Sequence, residues 1–199
     1  MGHIVLLGDS VFDNAAYTGS EPDVITHLRS VMPAEWQATL CAVDGATTSD
    51  LPAQVRRIPR QATHLFVSIG GNDALRNYDL LEMPVRSTAE ALRLFGGRIA
   101  AFEASYRRGI APLLALGKAV TLCTIYNGAL RDREEAAIAR VALMLFNDTI
   151  VRIGNEQGVA TLDLRLICCT PEDYANPIEP SGAGGRKIAL AIANAAIPA

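Results

Sequence analysis

Histidine is nearly absent from this chain: three in 199 residues, His3, His27 and His64, all in the first third. Cysteine is also scarce. The four are Cys41, Cys123, Cys168 and Cys169, with no C-x-x-C spacing. That excludes a standard zinc site, and the adjacent pair Cys168-Cys169 cannot form an ordinary disulfide. All four are therefore expected to be structural. Aromatic residues make up only 6% and the net charge is −3, with no basic stripe. A nucleic-acid partner is therefore not expected. Arg56-Arg57 and Arg107-Arg108 read as solvated helix faces. Long apolar runs are missing too. The most apolar stretch, Ile110 to Tyr126, is interrupted by Pro112, Gly117 and Lys118, which argues against a membrane span. The opening residues Met1 to Ser10 lack the basic start of a signal peptide, and Leu6 stands where a myristoylation site prefers Ser or Thr. A cytoplasmic placement is expected. The Gly182–Gly185 run has no strand before it, so it is no phosphate loop but the flexible start of a last helix. No cofactor and no metal are expected.

What the chain does have is alternation. Half of its residues are hydrophobic, and the length suits a single domain over 1–199 with one sizeable core. Short apolar runs read as strands at His3–Leu7, Gln37–Val43, His64–Ile69, Ala119–Ile125 and Val159–Leu162. Helical patterns lie between them: Pro22–Val31 with a Ser20 cap, Leu51–Ile58, Ser87–Leu116 with a break near Gly96-Gly97 or Gly109, Arg133–Gly154 and Gly184–Ala196. This order predicts an α/β fold, a five-stranded parallel sheet between two helical layers. Ligands of such sheets lie beyond the C-terminal ends of the strands. Three polar turns fall there: Asp9-Ser10 after the first strand, Asp44-Gly45 after the second and Gly70-Gly71-Asn72-Asp73 after the third. The excursion Arg76–Pro84 crosses the same edge, where Tyr78, Leu80, Leu81 and Met83 are candidates to line a pocket.

Acyl transfer through a serine needs a hydroxyl nucleophile, a base for its proton and donors for the oxyanion. Ser10 sits where its hydroxyl can be exposed at a strand-to-turn junction. Its backbone N–H, the N–H of Gly45 and the side-chain amide of Asn72 could form a three-donor oxyanion hole. Asp9 and Asp73 are suited to organising their turns through backbone hydrogen bonds, and Asp13-Asn14 likewise.

Gly8-Asp9-Ser10, Gly45, Gly70-Gly71-Asn72-Asp73 and the C-terminal block resemble, in order and spacing, the four motif blocks of the SGNH (GDSL) hydrolase superfamily. The resemblance spans nearly the whole chain. It implies a flavodoxin-like three-layer fold, Ser10 as nucleophile, and Ser10, Gly45 and Asn72 as the oxyanion hole. It implies a small-molecule ester as substrate. The fourth block departs from the pattern: Asp-x-x-His-Pro-Ser aligns with Asn176-Pro177-Ile178-Glu179-Pro180-Ser181. Neither the histidine nor its orienting aspartate is present.

His3 and His64 begin strands and so lie at the opposite end of the sheet, ~17–20 Å away for strands of this length. His27 lies in a helix that runs away from the site edge. Glu179 is therefore the candidate base. Its reference pKa, about 4.3 against about 6.5 for histidine, costs ~3 kcal/mol of proton-transfer driving force. Burial would recover part of that. Asn176 in place of aspartate avoids placing two like charges together and could donate a hydrogen bond to Glu179. Asp163, Glu172 and Asp173 are further carboxylates near this edge, with Asp163 read as a cap. The leading expectation is a serine esterase acting on short-chain acyl esters through Ser10, Glu179 and Asn176. Two alternatives stay open: a binding module that keeps the fold without the chemistry, and acyl transfer to an acceptor other than water.

Overall fold

A computed structural model describes residues 2–197, so Met1, Pro198 and Ala199 lie outside the described residues. Five strands, β1 (His3–Gly8), β2 (Gln37–Leu40), β3 (His64–Ser68), β4 (Ala119–Cys123) and β5 (Ala160–Leu162), form one parallel sheet in the order β2-β1-β3-β4-β5. The expected α/β/α architecture with a five-stranded parallel sheet is therefore correct. Register is set by pairs such as Val5 with Leu65 and Leu65 with Val120.

All six residues of β1 are buried, as a strand covered on both faces requires. Val5 and Leu7 point to one face and Ile4 and Leu6 to the other, following the two-residue period. On the first face lie α2 (Leu51–Val55), α4 (Thr88–Leu114) and α5 (Arg133–Gln157), contributing Leu51, Phe102, Tyr106, Ile110, Phe146 and Ile150. On the second lie α1 (Val24–Val31) and α6 (Gly182–Ala196), contributing Val24, Leu28, Ile188 and Ile192. The short α3 (Gly71–Leu75) follows β3 directly.

Several boundaries differ from the sequence reading. The side chain of Asp23, not Ser20, caps α1 by accepting from Thr26 N at 3.0 Å. The α4 helix runs without the break expected at Gly96-Gly97 or Gly109. Its glycines lower helix propensity by ~1 kcal/mol each, and the buried face of Phe102, Tyr106, Ile110 and Leu113 offsets that. Gly154 is buried inside α5, which ends at Gly158 in a left-handed cap. The last helix begins at Gly182 under a Ser181 cap, and Gly182, Gly184 and Gly185 are buried rather than a loose lead-in. No helix among the described residues is long and apolar enough to cross a membrane.

The strand order reverses direction between β1 and β3. That is the topological switch point, where a crevice opens beyond the strand ends. Ser10 follows β1 and Asn72 follows β3, so the fold delivers both to that crevice.

Candidate active site

At the end of β1 the chain turns sharply into Asp9-Ser10. Gly8 makes this possible: its φ is +125°, and a Cβ there would lie 1.7 Å from the Ser68 carbonyl oxygen. Gln54 pins the same residue, accepting from Gly8 N at 2.8 Å and donating to Gly8 O at 2.7 Å. Asp9 N donates to Ser68 O, and Asp9 Oδ1 accepts from Val11 N at 3.1 Å. The Ser10 backbone N–H has no acceptor among the described residues.

Glu179 reaches Ser10 from 169 positions away. Ser10 Oγ donates to Glu179 Oε1 at 3.1 Å, and both residues are buried, at 7% and 6% exposed. Three hydrogen bonds from other parts of the chain hold the segment that carries Glu179. Asn14 donates to Pro180 O at 3.1 Å while accepting from Val24 N, tying the nucleophile turn to α1 and the fourth block together. Tyr126 donates to Ile178 O at 2.6 Å. Ala129 N donates to Pro177 O at 2.8 Å. Gly128 lets the two loops approach this closely, because a Cβ there would meet Pro177 O at 2.6 Å.

Asn176 does not do what the sequence suggested. Its Oδ1 accepts from the backbone N–H of Ile178 and of Glu179, each at 2.9 Å, and the residue is exposed. It makes an Asx turn that shapes the main chain, and gives no hydrogen bond to the Glu179 carboxylate. Glu179 Oε2 is buried and has no hydrogen-bond partner among the described residues.

Of the three expected oxyanion residues, Ser10 and Asn72 line one cavity and Gly45 lies outside its wall. Asn72 Nδ2 donates to Ala46 O at 2.9 Å, which fixes its amide beside Gly45 and leaves its second hydrogen available. Gly45 is exposed, and its N–H has no acceptor among the described residues. Asp73 locks this arrangement, accepting from Thr48 N at 3.0 Å and from Thr48 Oγ1 at 2.7 Å. Asp13 Oδ2 accepts from Asp44 N at 3.0 Å, joining the turns after β1 and β2.

Two carboxyls at this site are held in an unusual range. Burial pushes Glu179 up to about 7, and Asp44 adds to the rise while the Ser10 hydrogen bond opposes it. Burial likewise pushes Asp9 up to about 8, against the Val11 N–H, with Glu179 and Asp73 nearby adding to the rise. A carboxylate near 7 is basic enough to share a proton with a hydroxyl at neutral pH. The other acids are occupied elsewhere. Asp163 caps the turn at Leu164–Leu166 and pairs with Arg165, and buried Asp173 pairs with Lys187 at 2.7 Å. His3 bonds Thr39 and His64 bonds Thr63, both at the far end of the sheet. Among the described residues no group of three His, Cys, Asp or Glu could hold a metal ion.

Ser10, Asn72 and Glu179 line an open cavity of about 140 Å³. Of the excursion residues, Tyr78 and Leu81 line it, Leu80 is buried in the protein and Met83 is exposed. Gln54, Tyr126 and Gly128 position the site without any signal in the sequence pattern, because each acts on a partner distant in the chain; Asn14, expected to organise its own turn, instead bridges to Pro180 and Val24.

Similar architecture occurs in an extracellular lipase from Streptomyces rimosus (TM-score 0.73, 16% identity, covering 99% of this chain and 100% of that one). It occurs also in phospholipase A1 from Streptomyces albidoflavus NA297 (TM-score 0.69, 18% identity, 95% and 98% covered). A third is the esterase EstA from Pseudoalteromonas sp. (TM-score 0.65, 14% identity, 96% and 94% covered). At these identities the likeness is one of fold. No curated protein matches the chain in sequence. Residues 6–187, which span the nucleophile turn, the Asn72 turn and the Glu179 block, match the model of the GDSL-like Lipase/Acylhydrolase family, and the chain belongs to that family.

Proposed function

We propose that this protein is a carboxylic-ester hydrolase in which Ser10 is the nucleophile and Glu179 the general base. The observation that carries this reading is the buried hydrogen bond of 3.1 Å from Ser10 Oγ to Glu179 Oε1 in the wall of the cavity. Ser10 Oγ attacks the acyl carbonyl while Glu179 takes its proton. The Ser10 and Gly45 N–H groups and the Asn72 amide receive the oxyanion. Glu179 then returns the proton to the departing alcohol, and water releases the acyl group by the same steps in reverse order.

A glutamate base changes the electrostatics. Protonated histidine is a cation beside the oxyanion, whereas protonated glutamate is neutral. Stabilisation of the tetrahedral intermediate thus falls on the three donors alone. Burial compensates on the proton-transfer side by lifting Glu179 to about 7, close to an ordinary histidine. Asn176 contributes only by shaping the turn that presents Glu179.

The test is covalent labelling by a fluorophosphonate, read by intact mass, for wild type, Ser10→Ala and Glu179→Gln between pH 5 and 9. Labelling of wild type alone is expected. A folded wild type that stays unlabelled across this range would overturn the reading in favour of a binding protein.

A further inference from the structure

The outer side of α5 is apolar over two turns. Between Ala136 and Asn147 the only charged residue is Arg140. Ala139, Ala142, Leu143 and Phe146 line the cavity on one side of the helix. Ile138, Val141, Met144 and Leu145 are exposed on the other, Val141 most of all at 64%. A helix that is apolar all round is one that something covers. Ile138, Val141 and Leu145 recur at i, i+3 and i+7, and seven residues further the same face carries Arg152. On α4, Leu92, Gly96 and Ala100 are exposed and recur at every fourth residue, and their face continues to Glu103 and Arg107. The two faces meet at a seam over the Phe102–Phe146 contact, whose ring centroids are 4.9 Å apart. Its C-terminal half is closed by ion pairs: Arg152 donates to Glu103 and Arg107 to Glu156, each at 2.6 Å. Its N-terminal half is open, since a Cβ added at Gly96 or Gly97 would meet nothing within 4 Å. There the α5 side chains form a ridge beside a trough of small residues on α4.

We infer that the open half of this seam is the contact face of a two-fold homodimer, in which the α5 ridge of each copy packs into the α4 trough of the other. A two-fold interface carries both halves of its fit on one patch, and here ridge and trough lie side by side. Their lengths match: Ile138 to Leu145 spans ~10 Å and Leu92 to Ala100 ~12 Å at the rise of an α-helix. Leu92, Ile138, Val141, Met144 and Leu145 together expose roughly 400 Å² of apolar side chain, the size of an interaction patch on a soluble protein. The polar flanks of the two helices bring this face toward the ~800 Å² per partner of a stable interface. A lipid surface fits less well. At this end of α5, Asp132, Glu134 and Glu135 stand against Arg133 and Arg140, so headgroups meet no surplus of positive charge, and a bilayer gains nothing from a trough. Phe95 on α4 and Ala142 on α5 wall the cavity from these same turns, so the dimer covers the outer side of that wall.

The experiment is sedimentation velocity of the 199-residue chain from micromolar to submillimolar concentration, for wild type, Val141→Glu and Ala100→Trp, with circular dichroism melts to check that each variant folds. A wild-type dimer is expected. Val141→Glu places a charge in the interface twice per dimer, by symmetry, and should weaken association ~100-fold or more. Ala100→Trp fills the trough without adding charge and should weaken it as well. A wild type that stays monomeric across this range overturns the inference. A dimer that both folded variants keep at full strength also overturns it, because that dimer uses another face. Flotation with neutral phosphatidylcholine vesicles tests the other occupant. Vesicle binding by wild type that Val141→Glu abolishes and Ala100→Trp leaves intact would assign the face to a lipid surface and overturn the dimer.

Discussion

Glu179→Gln separates the electrostatic argument from the rest of the site. In wild type the carboxyl is raised from 4.5 to about 7, chiefly by burial. At ~1.4 kcal/mol per pKa unit, ionised Glu179 destabilises the native state by ~3 kcal/mol relative to an unperturbed carboxylate. The sign follows from proton uptake. Between about 4.5 and about 7 the native state holds a proton that the unfolded state has lost, so stability falls as pH rises through that window and levels off above it. Glutamine is neutral throughout and keeps an oxygen for Ser10 Oγ. It places an amide where Oε2 now has no partner, at a cost of ~1 kcal/mol. The variant should therefore be ~1–2 kcal/mol more stable than wild type at pH 9, raising Tm by roughly 5 °C for a chain of this size. At pH 5 most of that advantage disappears. Because Asp9 is present in both proteins, its own titration largely cancels in the comparison. Ester turnover should drop ~10²–10⁴-fold, the usual contribution of a positioned base. Calorimetric melts at pH 5 and pH 9, with hydrolysis assays on the same samples, decide it. A stability difference that does not change between the two pH values would mean that the buried carboxylate carries no ionisation penalty. The elevated basicity assigned to Glu179 would fall with it.

Three other outcomes follow from the same geometry. Wild-type kcat/KM should rise with pH through about 7 as Glu179 ionises, and decline as Asp9, near 8, adds negative charge beside the oxyanion; the pair titrates with coupled apparent values, and Asp9→Asn should remove the alkaline decline in the pH–rate profile. Asn72→Ala should lower kcat by ~10²–10³ with little change in KM, because it deletes one oxyanion donor. Asn176→Ala should lower Tm by a few degrees, through ~1 kcal/mol of lost turn bonding, and leave the pH midpoint of the activity unmoved; a shifted midpoint would mean that Asn176 acts on the Glu179 carboxylate.

The local signals in the chain were sufficient for the architecture. Apolar runs of strand length separated by amphipathic segments allow only a parallel sheet covered on both faces, and that sheet places Ser10 and Asn72 at its switch point. The positions of Asp9, Gly45 and Asp73 could be read for the same reason, since each lies within a few residues of a strand end. Helix ends were less legible. Gly96, Gly97 and Gly154 look like breaks by propensity alone, but the apolar faces that the two helices bury elsewhere along their length carry them through.

Tertiary structure decided what a one-dimensional pattern does not contain. The Ser10–Glu179 hydrogen bond joins residues 169 positions apart, and the basicity of Glu179 comes from the surfaces that bury it. Asn176 stands three residues before Glu179 at a spacing that suggests a side-chain contact, yet its amide turns to the main chain. The cavity at Ser10 is walled by residues of β3, α3, α4, α5 and the Glu179 segment, which only the fold brings together. Sequence by itself determined the elements, their order and the identity of the groups at the strand ends. Distance, burial and the reach of the cavity were left to packing, because desolvation and long-range contact are properties of surfaces brought together and not of neighbouring residues along the chain.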